Sequence, residues 1–140
     1  MSKARAIKID TDGSITEVKV NMTFPYLGLE MFGKDRLIQR VPAIGLRRWN
    51  EERTDVGKDT VMLVDESGLY HPTYKRNVLA SLLYGCLDHG NEIAGPAYLV
   101  DEDKDDFLGL HESCTVEVVE SLVEDFIPLQ VARFAARVKG

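Results

Sequence analysis

Apolar and polar positions alternate from Ala4 to Ile9 well enough to predict a strand. Asp10-Thr11-Asp12-Gly13-Ser14 follows, and an Asp-Gly pair supplies the positive φ that tight hairpin turns require. Ile15, Val18 and Val20 continue as the return strand, so residues 4–20 read as a hairpin. Phe24-Pro25 opens the next element, since proline suits a first helical turn. Tyr26, Leu27, Leu29, Glu30 and Met31 fill two turns of helix, and Gly33 is placed to end it. Arg36 to Val41 reads as a strand that Pro42 stops.

A second block runs from Thr60 to Asp103. The apolar run Val61-Met62-Leu63-Val64 enters a turn at Asp65-Glu66-Ser67-Gly68. A short helix is predicted over Asn77 to Gly85, then a strand over Ile93 to Val100 that ends in an acidic turn, 101–106. Residues 113–140 form a C-terminal helical region. There Val119, Leu122, Val123 and Phe126 recur at helical spacing. Its acids (Glu117, Glu120, Glu124) come early and its bases (Arg133, Arg137, Lys139) late, as the helix dipole favours. Pro128 is expected to kink this region or split it into two helices. Residues 45–59 are flanked by glycines and mix both charge signs, which predicts a long loop insertion. The expected fold is a single α+β domain over residues 1–140. It has a mixed or antiparallel sheet of about four to six strands, two or three helices and a C-terminal helical extension.

Composition narrows the function classes. The chain has 140 residues, 44% of them apolar and 29% charged, which suits a packed globule rather than a disordered chain. A net charge of -6 opposes non-specific nucleic-acid binding, which needs a dominant basic face. It is too small for the dense acidic stripes of a nucleic-acid mimic. The two cysteines, Cys86 and Cys114, lie far apart and read as free thiols in a reducing compartment. Met1 to Lys8 holds no apolar signal core, and no run approaches the apolar length of a membrane span. No membrane contact and a cytoplasmic location are therefore expected.

Metal and catalytic chemistries find little support. Asp101, Asp103, Asp105 and Glu112 match positions 1, 3, 5 and 12 of a calcium-binding loop. Asp106 stands where that loop needs glycine, and a strand, not a helix, precedes it, so a solvated turn is the better reading. His89 is three residues from Cys86, and His111 three from Cys114. Two such pairs could bind zinc only if they met in space, and Cys-x-x-His spacing is atypical. Cys114 beside Glu112 is poorly placed for an activated thiolate. Ser81 sits in an apolar helical stretch without a nucleophile elbow, and no phosphate-cradling glycine loop occurs. No metal and no cofactor are expected, and the chain reads as non-catalytic.

Two regions invite a binding role. Arg47, Arg48 and Trp49, with Arg53 nearby, are the candidate partner-binding residues, because Arg and Trp dominate interface hot spots. The same residues could stack a base and grip a phosphate, but Glu51, Glu52 and Asp55 dilute that reading. The competing view has Trp49 anchoring its segment onto the core while the arginines stay solvated. The second region is the apolar tail (Ile127, Leu129, Val131, Ala132, Phe134, Ala135, Val138). It either packs back on the sheet or pairs with another copy into a homodimer.

Asp65-Glu66-x-Gly68-Leu69, Asn77-x-x-Ala80-Ser81-x-Leu83-Tyr84-Gly85 and Ile93-x-Gly95-Pro96-Ala97, in this order, resemble a known family. It is a small uncharacterised domain, of unknown function, common in bacteriophage, prophage and plasmid genomes. A weaker match runs through Asp103, Asp106 and Phe107, and the whole likeness covers roughly residues 4–126. The chain departs from the pattern in its 45–59 insertion and its tail after Pro128. The family has no established activity to carry over to this chain. It implies a mobile-element accessory protein acting in the host bacterial cytoplasm on a host protein, through host modulation or countering a defence. The alternative is a small-molecule or nucleotide-binding domain, a sequestering protein or minor hydrolase, with its pocket between 45–59 and the Gly95-Pro96 strand.

Overall fold

A computed structural model describes residues 3–23, 26–33, 37–55, 57–104 and 106–139, with Tyr26 and Lys139 as backbone alone. Phe24-Pro25, Arg36 and Asp105, which the sequence reading uses, lie outside these residues.

One antiparallel sheet organises the chain. Its strands are β1 (Ala4–Ile9), β2 (Ile15–Val20), β3 (Ile38–Pro42), β4 (Lys58–Asp65), β5 (Ala97–Asp103) and β6 (Asp106–Leu108). Their order is β2-β1-β5-β4-β3, with β6 folded back on the far end of β5. The β1–β2 hairpin turns at Gly13, whose φ of 87° is the left-handed value that its Asp-Gly pair predicts. The acidic run is not a solvated turn: β5 continues through Asp101 to Asp103 and pairs with β6.

Strand periodicity divides the core into two layers. Ile7, Ile9, Val41, Met62, Val64, Ala97 and Leu99 face one side. Ala6, Val20, Val61, Leu63, Tyr98 and Val100 face the other. Because β4 and β5 are central and covered on both faces, they are apolar without alternation. The second layer is closed by α1 (Tyr26–Phe32) through Leu27 and Met31. The first is closed by α3 (Val78–Tyr84), α5 (Val116–Lys139) and a 3-10 turn at Ile44–Leu46 that leads into α2 (Arg47–Glu52). The four-residue α4, Cys86–His89, completes the set.

The resemblance motif is built into this core as architecture. Asn77 is fully buried; its Oδ1 accepts the Ala80 N–H as a helix cap, and its Nδ2 donates to the Ile9 and Gly95 carbonyls, each at 2.9 Å. Ser81 Oγ accepts the Ile93 N–H at 2.8 Å and donates to the Asn77 carbonyl at 2.7 Å, so the hydroxyl is engaged. Gly95 has φ +84°, and a Cβ there would lie 2.6 Å from the Tyr74 ring.

Two further expectations need correction. Residues 45–59 are not a long loop: they hold the end of the 3-10 turn, α2 and the start of β4. Pro128 does not split the C-terminal region, because α5 is a single helix of 24 residues. The proline frees one carbonyl, that of Glu124; both residues are exposed, so water can serve it.

Gln130 is the odd residue in α5. It is fully buried, and neither amide atom has a hydrogen-bond partner among the described residues. A buried amide without partners costs about 1–3 kcal/mol. Replacing it with an unbranched apolar residue of similar volume, Gln130→Met, should raise the unfolding free energy by about that amount. Chemical denaturation of the two proteins checks this; equal or lower stability in the variant would contradict it.

Candidate functional site

The four candidate residues fall into two environments. Trp49 and Arg53, one helical turn apart, point back to the sheet. Arg47 and Arg48 point to solvent, with 79% and 65% of their side-chain surface exposed.

The inward pair forms a polar lock at the end of the sheet. Thr60 and Asp101 are cross-strand partners on β4 and β5, and both are buried. Trp49 Nε1 donates to Thr60 Oγ1 at 2.8 Å, and Thr60 Oγ1 donates to Asp101 Oδ1 at 2.7 Å. Arg53 lays its guanidinium between two acids. Nη2 is 2.7 Å from Asp101 Oδ2, and Nε is 2.7 Å from Asp55 Oδ1. Its side chain is 4% exposed and that of Asp101 is 3% exposed. Asn50 brackets Thr60 on the backbone, donating to its carbonyl at 3.0 Å and accepting its N–H at 2.7 Å. The His111 N–H adds a bond to Asp101 Oδ2 at 3.2 Å. Arg5 donates to the carbonyls of His111 and Cys114, tying the 110–114 segment to β1.

Every oxygen in this cluster is engaged, so Asp101 holds a cationic side chain instead of contributing to a calcium loop. Hydrogen bonds from Arg53 hold the Asp55 carboxyl at about 2, well below the ordinary 3.8, against some desolvation. The Asp55 bonds, with those of Asp101, raise Arg53 above its ordinary value despite burial. Burial, reinforced by Asp101, pushes the Cys114 thiol up to about 11, which suits a packed thiol and not a nucleophile. Burial also raises the Cys86 thiol, with Glu92 adding to it. Among the described residues, no three His, Cys, Asp or Glu side chains cluster to hold a metal ion.

The outward pair lines a groove between α2 and α5, a cavity of about 450 Å³. Its floor is apolar: Ile44, Leu122, Phe126 and Leu129. The close approach needs Gly45, where a Cβ would run into Leu83 and stand 3.1 Å from the Phe126 ring. The rim is charged. Arg47 pairs with Glu51 at 2.7 Å; Arg48 reaches Glu52 and, across the groove, Asp125, both at 3.4 Å. Arg133 completes the lining from α5. The structure thus joins two regions that the sequence treats separately, the Arg47-Arg48 pair and the C-terminal helix.

The polar groups of Trp49 and Arg53 are engaged inside the domain, while both side chains also line a small cleft with Asp55 and His111. The view in which Trp49 anchors its segment is the one the structure supports. The groove residues Leu122, Phe126 and Arg133 escape sequence reasoning as a site, since their shared face with α2 depends on long-range packing. The space beside Ile93 and Ala94, about 290 Å³, is lined from Gln39, Val41, Val64 and Tyr84 without α2.

No family model matches the chain, and no curated protein or solved structure matches it. Among the described residues, no helix is long and apolar enough to cross a membrane.

Removing one partner of a buried ion pair strands the other, so Arg53→Met should cost about 3–5 kcal/mol in chemical denaturation. A loss near zero would show that the lock is dispensable. Acid titration tests Asp55 separately. Its folded value is lowered, so its contribution is present above pH 3.8 and is lost as pH falls through about 2. Stability should therefore decline less steeply in Asp55→Asn than in the wild type across that window.

Proposed function

We propose that the protein is a non-catalytic binding module of a mobile genetic element, and that it docks a protein of its bacterial host through the α2–α5 groove. One observation carries the reading. The exposed Arg47-Arg48 pair stands over an apolar floor that includes Leu129, itself 66% exposed. Guanidinium groups beside accessible apolar side chains are the composition of interface hot spots, where apolar burial gives energy and Arg gives direction. Intramolecular pairing of these arginines is no obstacle, because exposed ion pairs are worth about 0–1 kcal/mol and exchange readily. The mobile-element setting and the role in host modulation or countering a defence come from the motif resemblance. Action in the host cytoplasm belongs to the same proposal.

The test is capture of a stoichiometric bacterial protein by the tagged chain, compared with a variant carrying Arg47→Ala, Arg48→Ala and Leu129→Ala. These are surface changes, each expected within about 0.5 kcal/mol of neutral, so the melting temperature should hold. Capture should fall at least about tenfold, as for loss of a hot spot. Undiminished capture by the triple variant would refute the site. A co-purifying nucleotide that raises the melting temperature would support the ligand-binding alternative instead.

A further inference from the structure

The charge pattern of the α2–α5 groove narrows what can occupy it. Six charged side chains line it: Arg47, Arg48, Arg133, Glu51, Asp88 and Asp125. All three carboxylates already face a cation. Glu51 has Arg47 at 2.7 Å, Asp125 has Arg48 at 3.4 Å, and Asp88 has Arg137 at 2.9 Å from outside the lining. Arg133 alone of the six has no ion-pair partner among the described residues. From Phe126 to Gly140 the sequence carries Arg133, Arg137 and Lys139 and no acid. The groove therefore ends in a basic stretch in which Leu129 and residues 131–138 are exposed.

Three occupants can be weighed. A second copy presenting the same tail would set positive charge against Arg133. Presenting instead the acidic half of its α5, it would offer weak apolar anchors, because Val119 is buried and Leu122, Val123 and Phe126 are partly buried against its own core. A nucleic-acid backbone would leave the apolar floor uncovered. A protein segment with apolar side chains and flanking carboxylates satisfies both the floor and Arg133.

We infer that the groove receives an acidic amphipathic segment of the partner protein, which lays apolar side chains on Ile44, Leu122, Phe126 and Leu129 and sets a carboxylate against Arg133. The inference rests on the groove being a protein-docking site and adds the chemistry of what docks. In this arrangement burial of the apolar anchors supplies most of the affinity, while Arg133 sets the sign of charge accepted.

Fluorescence anisotropy on the full chain tests it with two labelled synthetic peptides. Both are short amphipathic helices with the same leucine anchors; one carries flanking glutamates and the other lysines in the same places. The glutamate peptide should bind at least about tenfold tighter, the sum of an attraction gained and a repulsion avoided. Added salt should shrink that preference. Arg133→Glu, an exposed change, should abolish or reverse it without moving the melting temperature. Equal binding of the two peptides, binding of neither, or a preference untouched by Arg133→Glu would overturn the inference. Should these results appear while the alanine triple variant still loses partner capture, the docking site stands and only its assigned chemistry fails.

Discussion

The ion pair between Arg53 and Asp101 is the constraint on which the candidate site depends. Asp101 is a strand residue whose side chain turns into the core layer instead of toward solvent, and an unpaired carboxylate there would be strongly disfavoured. Arg53 resolves this from the end of α2. Trp49 and Asn50, on the same short helix, close around Thr60 beside it. Six residues of helix cannot be stable alone, and α2 has no side-chain N-cap. Its two i,i+4 pairs also run base before acid, the weaker order for the helix dipole. Tertiary anchoring therefore decides both that α2 forms and where it sits.

That placement has a consequence on the opposite face of the same helix. With Trp49 and Arg53 turned inward, Arg47 and Arg48 must point outward, over the space that α5 leaves beside its Leu122, Phe126 and Leu129. The polar lock and the groove are two faces of α2. One face holds the buried polar cluster around Asp101, and the other carries exposed, loosely paired charges. Gly45 lets the preceding turn approach α3 and α5 closely enough for the groove to have a floor.

Local chemistry made much of the fold legible. Asp12-Gly13 marks the hairpin, Gly33 the end of α1, Asn77 and Gly85 the two ends of α3, and the apolar 61–64 run the central strand. What escaped was decided at long range. Arg53 and Asp101 are 48 residues apart, so the acidic run looks like a solvated turn until its neighbour across the sheet is known. The 45–59 segment looks like a loop because its composition is polar, whereas its helix is held by contacts to Thr60 and Asp101. Arg47 and Arg48 were visible as candidates from residue type alone. Trp49 and Arg53 share that type but turn toward the sheet, and only the direction of each side chain separates the two pairs. Leu122 and Phe126 appeared as core periodicity and Leu129 as part of an apolar tail, with nothing local to show that the three would line one groove with α2.

The most direct test of this account is amide hydrogen exchange across α2 in the wild type and in Asp101→Asn, which keeps the size of the side chain and removes its charge. The account predicts protected amides in α2 of the wild type, and a loss of protection in the variant concentrated in α2 while the central strands β4 and β5 stay protected. Unchanged protection of α2 in Asp101→Asn would contradict the claim that this ion pair sets the helix, and with it the groove, in place.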